Sequence, residues 1–376
     1  MNQLNLNIAD FLANYWQQQP VVIKAAFTQF ADPIAPDELA GLALEDATAA
    51  RMVYTQKDHW HSSSDIPEDY SPLGEHNWQL LVQAINHYVE YADQLAEQFS
   101  FLPQWRFDDL MASFAVEGGG VGPHIDNYDV FIIQGQGKRQ WQVGPRGNYA
   151  SRNDGSNMSL VEDFEPIINE VMEPGDLLYI PVGFPHCGRS IVPSLSYSVG
   201  FRAPSQQELL SALADAYVDN DLGNERYQQA DDNQRTNLIG TAQQQGFAAM
   251  LSSSLQHDGW HQALGTLLSQ NRFELALEPP SEPISVAQTA ARLQQGEPLY
   301  RLLGLKCLQV EGDHHNRLFF DGQSWLLPPE LKDVTVAISA SKQLHWAQLA
   351  PLFQDPQLSM QLNELINQGY WLFNDE

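Results

Sequence analysis

From Phe107 to Val116 the chain alternates, with Leu110, Ala112, Phe114 and Val116 on one side and Asp109, Met111, Ser113 and Ala115 on the other. Alternation of this kind predicts a strand with two different faces, the more polar of them turned toward an interior site. Phe131 and Ile133 belong to a strongly apolar strand that ends at Gly135-Gln136-Gly137, where a hairpin turn is expected. In the returning strand Arg139, Trp141 and Val143 share a face, opposite Lys138, Gln140 and Gln142. Glu165 to Met172 and Leu177 to Ile180 are strand-like, and Leu195 to Phe201 sets Ser196 and Ser198 against Leu195, Tyr197 and Val199. Residues 145–160, rich in Gly, Asn, Ser and Arg, read as an exposed loop.

Upstream, Leu4 to Ile8 reads as a short strand, Ala9 to Trp16 as a helix whose start Asp10 assists, and Pro20 to Lys24 as a strand. Pro36 suits the first position of a second helix. Residues 50–72 give no clear pattern, whereas Trp78, Leu81, Val82, Ile85, Tyr88 and Tyr91 recur at a helical period that predicts one or two helices within Glu75 to Gln98. Beyond Pro204 helices are expected at Glu208 to Val218, Asn237 to Ser252 and Gly259 to Ser269, with a polar loop over Asn220 to Arg235. Glu278 to Pro283 is a proline-rich linker, followed by a helix at Val286 to Gln295, strands at Leu299 to Val310 and Leu318 to Leu327, a helix at Trp346 to Phe353, and a helix and strand from Met360 to Phe373. The pattern predicts a mixed α/β (α+β) chain: a double-stranded β-helix barrel of the cupin or jelly-roll kind, then helices, then a winged-helix-like end. The expected boundaries are 1–205 for the barrel domain, 206–277 for a helical region with enough apolar surface to form a dimer, and 284–376 for the C-terminal domain.

Composition narrows the choice of partners. The chain has 376 residues, more than one core usually serves, and 43% of them are hydrophobic. No stretch is apolar for the roughly 18 residues that a membrane span needs, and the first residues carry no secretory signal, so the cytoplasm is expected. Cys187 and Cys307 are too few and too far apart for a disulfide framework. A net charge of −28, with 19 Lys and Arg in all, argues against nucleic acid and fits either a basic partner or plain solubility in a salt-tolerant or marine host.

Gly118-Gly119-Gly120-Val121-Gly122-Pro123-His124-Ile125-Asp126 carries the chemistry. His124 and Asp126 sit at i and i+2, so on a strand their side chains point the same way. His186, delivered by a Pro-Gly loop after Glu173-Pro174-Gly175-Asp176 and the strand that follows it, is the candidate third ligand. Two imidazoles and a carboxylate form the facial set that non-haem Fe(II) oxygenases use, leaving the opposite face of the ion open. The glycines before it lack the Lys-Ser/Thr ending of a phosphate loop and are read as permitting close backbone approach. Cys187 reads as a small filler facing away from the metal, His257 and His261 as a poor metal pair without a third ligand, and His59-Trp60-His61 and His314-His315 as loop or surface residues.

Gly122-Pro123-His124-Ile125-Asp126, Asp129-Val130-Phe131, Lys138-Arg139-Gln140-Trp141, Glu173-Pro174-Gly175-Asp176 through His186, and Tyr197-Ser198-Val199-Gly200-Phe201-Arg202 together resemble the JmjC-type 2-oxoglutarate oxygenases. Within these the similarity is closest to the bacterial ribosomal oxygenases, and it covers nearly the whole chain. It implies Fe(II) held by His124, Asp126 and His186, with 2-oxoglutarate and dioxygen as cosubstrates and succinate and CO2 as products. Arg139 would hold the distal carboxylate of 2-oxoglutarate, a role for which a guanidinium's parallel donors are suited. The implied reaction is hydroxylation of an arginine side chain of a large-subunit ribosomal protein, by a homodimer. Asp109 would pair with the substrate guanidinium, Tyr128 would pack on its stem and Ser198 would hydrogen-bond it, with Met111 a further substrate-binding residue. Against these roles stand plain ones: a solvated acid beside Asp108, and barrel packing. Ala115 departs from the resemblance, which leads one to expect a serine that helps to bind 2-oxoglutarate. Either Ser113, on the same face, compensates or one hydrogen bond is missing.

Other readings of the same residues are a JmjC-type protein demethylase, a metal cupin enzyme that does not use 2-oxoglutarate, and a winged-helix DNA regulator with a sensory cupin. The charge disfavours the last of these.

Overall fold

The computed structural model describes residues 2–56, 59–152, 158–228 and 237–374. Of the two expected loops, 153–157 and 229–235 lie outside the described residues. The chain divides into two compact units, Met1–Ala203 with Arg272–Ala276, and Pro204–Asn271 with Leu277–Glu376.

The first unit opens with α1 (Ile8–Asn14), whose N-cap is Asn7: its side chain accepts from the Asp10 amide at 3.2 Å, so Asn7 and not Asp10 starts the helix. Leu4 makes an isolated bridge to Phe27 in place of the expected strand. β1 (Val21–Ile23) and α2 (Pro36–Leu42) follow, with Pro36 in the first turn as expected. The stretch without a clear pattern contains β2 (Ala50–Gln56) and β3 (His59–Ser63). The helix expected across Trp78 and Val82 is instead β4 (Trp78–Val82), with α3 (Glu90–Glu97) only beyond it. All five residues of β4 are buried, so it shows no period of two, and its apolar run mimics a helix segment.

β5 (Phe107–Ala115), β6 (Gly120–Ile125), β7 (Asp129–Gln134), β8 (Arg139–Val143), β9 (Ile168–Met172), β10 (Leu177–Ile180), β11 (Pro185–Ser190) and β12 (Ser194–Phe201) complete the barrel. Among the described residues they form an eight-stranded sheet in the order β1-β10-β7-β12-β5-β4-β2-β3, facing a four-stranded sheet in the order β6-β11-β8-β9. β7 and β8 are therefore no hairpin. The glycine turn carries the chain from one sheet to the other, with Gly137 at φ +80° against Pro193 and Ser194. The loop at residues 181–183 leads, as expected, into β11, the strand that carries His186.

Alternation sorts the large sheet's side chains. Phe131, Ile133, Leu177, Tyr179, Leu195, Tyr197 and Val199 pack outward against Phe11, Leu95 and Phe99 of the helical layer. Val130, Ile132, Leu178 and Ile180 face inward, onto Trp141 and Val143 of the small sheet. Each fully buried aromatic or aliphatic side chain in such layers contributes about 1.5–3 kcal/mol. The interior therefore holds an apolar floor on which polar groups can be fixed.

The second unit contains α4 (Gln206–Asp219), α5 (Thr241–Ser254), α6 (Asp258–Ser269) and α7 (Val286–Gln294). Ser205 and Glu208 form a capping box that starts α4. The strands expected near 299–310 and 318–327 shrink to β13 (Leu299–Arg301), β14 (Arg317–Phe320) and β15 (Gln323–Leu326). α8 (Lys332–Ala340) has no counterpart in the sequence pattern, and the helix expected over Trp346 to Phe353 is α at Trp346–Leu349 and 3-10 beyond. The proline-rich segment packs within this unit: a Cβ on Gly369, which closes the helix Pro356–Gln368, would come within 2.5 Å of the Glu278 nitrogen.

Candidate metal centre and cosubstrate cavity

β6 and β11 pair antiparallel with His124 opposite His186, which sets the two imidazole centroids 4.2 Å apart. Close approach of these strands requires a glycine, since a Cβ on Gly120 would lie 2.0 Å from the Gly188 carbonyl oxygen. Asp126 follows just past the end of β6, with Oδ1 3.9 Å from His124 Nε2 and Oδ2 3.5 Å from His186 Nε2. His124 Nδ1 donates to the Gly122 carbonyl at 2.9 Å and His186 Nδ1 to the Phe184 carbonyl at 3.1 Å. A carbonyl can only accept, so both protons are fixed on Nδ1 and both Nε2 lone pairs are turned toward Asp126. Burial, and then the neighbouring His124, hold His186 down to about 4, which keeps it neutral and able to ligate. The ligand atoms of the three residues lie within 4.8 Å of one another, and two neutral imidazoles with one carboxylate suit a divalent transition metal.

These three side chains line a cavity of about 300 Å³ that also reaches Arg139. Arg139 is 2% exposed and held by a ring of hydroxyls. Its Nη1 donates to Ser113 Oγ at 2.9 Å and Ser196 Oγ at 2.8 Å, while Nε and Nη2 reach Ser194 Oγ at 3.3 and 3.1 Å. Among the described residues no carboxylate pairs with it, and burial alone lowers its pKa to about 9. A buried guanidinium opening on a cavity without an acid beside it is suited to a ligand that brings a carboxylate. Ser113 thus positions Arg139, and Ala115, which carries no polar group, is fully buried beside it in the sheet.

Met111, Tyr128 and Ser198 line the same cavity. Asp109 is buried beside them, and its Oδ2 accepts from the Ala84 amide at 3.0 Å. Burial, with the neighbouring Asp108, pushes Asp109 up to about 7, and burial also raises Tyr128. Gly200 lies beside both: a Cβ there would stand in van der Waals contact with Asp109 Oδ1 at 3.6 Å and the Tyr128 ring at 3.7 Å.

Gln79, Leu81 and Gln83 also line the cavity but carried no signal, because β4 reads as helix in the sequence. Ser196 was legible only as one face of an alternating strand, and Ser194, just before the stretch read as alternating, was missed. Cys187 is half-buried, its thiol pushed up to about 11 by burial, and its Sγ turns to Gln142 at 3.6 Å. A second group with metal-like spacing, Asp258, His261 and Asp313, lies in the second unit. It supplies the acids that the sequence failed to place near His261.

The JmjC domain model matches residues 94–209, and the ROXA-like winged helix model matches residues 250–372. Over 374 residues the chain is 42% identical to the ribosomal protein uL16 3-hydroxylase of Escherichia coli, covering 99% of each protein. The chain belongs to the bacterial JmjC ribosomal oxygenases. A probable ribosomal oxygenase of Haemophilus influenzae is 30% identical, over 94% of this chain and 91% of the relative. Among solved structures, E. coli YcfD superposes with a TM-score of 0.93 at 40% identity, over 99% of this ribosomal oxygenase and 100% of that chain. YcfD in complex with cobalt and 2-oxoglutarate gives a TM-score of 0.91 over the full length of both chains. No described helix is long and apolar enough to cross a membrane.

Proposed function

We propose that this oxygenase uses Fe(II) and 2-oxoglutarate to hydroxylate an arginine side chain of a large-subunit ribosomal protein. The observation that carries the reading is the shared cavity: a His-Asp-His set with both Nε2 lone pairs turned inward, and a buried Arg139 with no acid of its own. The names of its relatives support it, one a hydroxylase of ribosomal protein uL16 and one a ribosomal oxygenase seen with cobalt and 2-oxoglutarate, and also with succinate. When bound, metal and 2-oxoglutarate would let dioxygen give one oxygen atom to a substrate C–H bond and the other to the succinate that forms as 2-oxoglutarate loses CO2. His124, Asp126 and His186 would hold the ion, and Arg139 would orient the distal carboxylate of the cosubstrate. Asp109 pairs with the substrate guanidinium, Tyr128 packs on its stem, Ser198 hydrogen-bonds it, and Met111 is a further substrate contact.

The net charge of −28 suits a basic ribosomal protein met in the cytoplasm. The helical region 206–277 forms a homodimer interface, a role supported by Leu210, Val218 and Leu251, which are 61, 79 and 72% exposed on α4 and α5.

The test is to load the protein with Fe(II) under anaerobic conditions, then admit air with 2-oxoglutarate and basic fragments of large-subunit ribosomal proteins. Succinate release coupled to a gain of one oxygen on an arginine-containing fragment is expected. Formaldehyde with a loss of mass would make the enzyme a demethylase. Absence of succinate and of 2-oxoglutarate binding would leave a metal cupin with other chemistry.

A further inference from the structure

The large sheet presents its inward side chains in rows. Across one row Gln79 of β4 stands opposite Ala115 of β5, and Ala115 stands opposite Ser194 of β12. The adjacent row runs Leu81, Ser113 and Ser196. Arg139 donates to Ser113, Ser194 and Ser196, so its guanidinium lies over these two rows, and Gln79 stands in one of them two strands from Ser194. Gln79 is 3% exposed and lines the cavity, yet its Oε1 is buried without a hydrogen-bond partner, and its carboxamide makes no hydrogen bond among the described residues.

Burying an unpaired carboxamide costs stability, and a leucine on this inward face would avoid the cost. The donors of Arg139 are directed at serine oxygens, whereas the amide hydrogens of Gln79 are uncommitted. A carboxamide offers N–H on one side and C=O on the other, and the two are interchangeable by a flip, so it can meet a carboxylate with its N–H while its oxygen turns to a hydroxyl. Between Gln79 and Ser194 the row holds only the methyl group of Ala115, which leaves a long side chain room to reach across.

We propose that Gln79 is a cosubstrate-binding residue whose carboxamide donates a hydrogen bond to the distal carboxylate of 2-oxoglutarate beside Arg139, doing from β4 what a hydroxyl at position 115 would do. This rests on the 2-oxoglutarate reading above. β4, which supplies Gln79, belongs to the large sheet and β8, which supplies Arg139, to the small one, so the anion subsite draws on both sheets of the barrel.

The test titrates 2-oxoglutarate by calorimetry into anaerobic Co(II)-loaded wild type, Gln79→Leu and the Gln79→Leu/Ala115→Ser pair, and repeats it with 2-oxobutanoate. The latter keeps the 2-oxo acid head but has no distal carboxylate. Gln79→Leu should weaken 2-oxoglutarate about tenfold, leave 2-oxobutanoate unchanged, and melt no lower than wild type without cosubstrate. Ala115→Ser should restore part of the loss. Equal 2-oxoglutarate affinity in wild type and Gln79→Leu, or an equal loss for both oxo acids, overturns the role. If wild type itself binds no 2-oxoglutarate, the cosubstrate reading falls and this role with it. Should Gln79→Leu not fold, Gln79→Met is read in the same way.

Discussion

Among the described residues, two groups of His and Asp have ligand atoms within 4.8 Å of one another, one in the barrel and one in the second unit. In the barrel, the ion-pair partners of Asp126 among the described residues are the two histidines, and both histidines are tethered through Nδ1 so that Nε2 is left for a ligand. In the second unit, Arg317 Nη1 lies 3.2 Å from Asp258 Oδ1 and 3.1 Å from Asp313 Oδ1, its Nη2 pairs with the other Asp258 oxygen, and His315 Nε2 is 3.2 Å from that oxygen too. In the first group the carboxylate meets only imidazoles whose lone pairs are free, whereas in the second both carboxylates are already engaged by the Arg317 guanidinium. Ligand spacing alone does not make a metal site; the absence of a resident counter-charge and the direction of the lone pairs do.

The largest expected effect tests this contrast directly. His124→Ala or Asp126→Ala should lose metal and substrate-dependent turnover by well over the roughly 100-fold that outer partners of a ligand contribute, measured by Co(II) titration and succinate release. Asp258→Ala should leave both unchanged, and a second equivalent of tightly bound Co(II) in wild type would break the contrast.

Next in size, Arg139→Met should raise the 2-oxoglutarate concentration needed for turnover by about 100-fold, since it removes the charged partner of a buried carboxylate. An unchanged requirement would remove Arg139 from the cosubstrate subsite.

Arg317→Met should sharpen the contrast from the other side. With Asp313 buried and its partner gone, the second unit should lose roughly 2 kcal/mol in denaturant unfolding, and divalent cations should recover part of that loss. No loss of stability would mean that the guanidinium is not what satisfies the cluster.

The smallest effect concerns pH. Asp109 titrates at about 7, raised by burial from 3.8, so its ionisation costs folding free energy as pH rises across that window and nothing below it. A substrate guanidinium needs the ionised form. Affinity for an arginine peptide should therefore rise about tenfold between pH 6 and pH 8, and Asp109→Asn should flatten that profile while melting higher than wild type at pH 8.

Strands with one wet and one dry face were legible at once. The alternation of β5 and β12 placed Met111, Ser113, Ser196 and Ser198 on the inward side, where the structure has them. β4 failed for the same physical reason in reverse: with both faces covered, Trp78 to Val82 has no alternation to read, and Gln79 was lost with it. β2 and β3 were lost too, and the turn at Gly135 to Gly137 looked like a hairpin because local sequence does not say which sheet the next strand joins.

The sequence by itself determined the barrel's inward faces, the His-x-Asp pair and the need for a distant histidine, because these follow from strand periodicity and ligand chemistry within short stretches. Only the tertiary structure decided that His186 faces His124 across a strand pair, that Arg139 sits in a ring of serines drawn from two other strands, and that Arg317 closes the rival cluster. Each of these depends on strand order and register between residues far apart in the chain, and those are set by which faces must be buried together rather than by any local pattern.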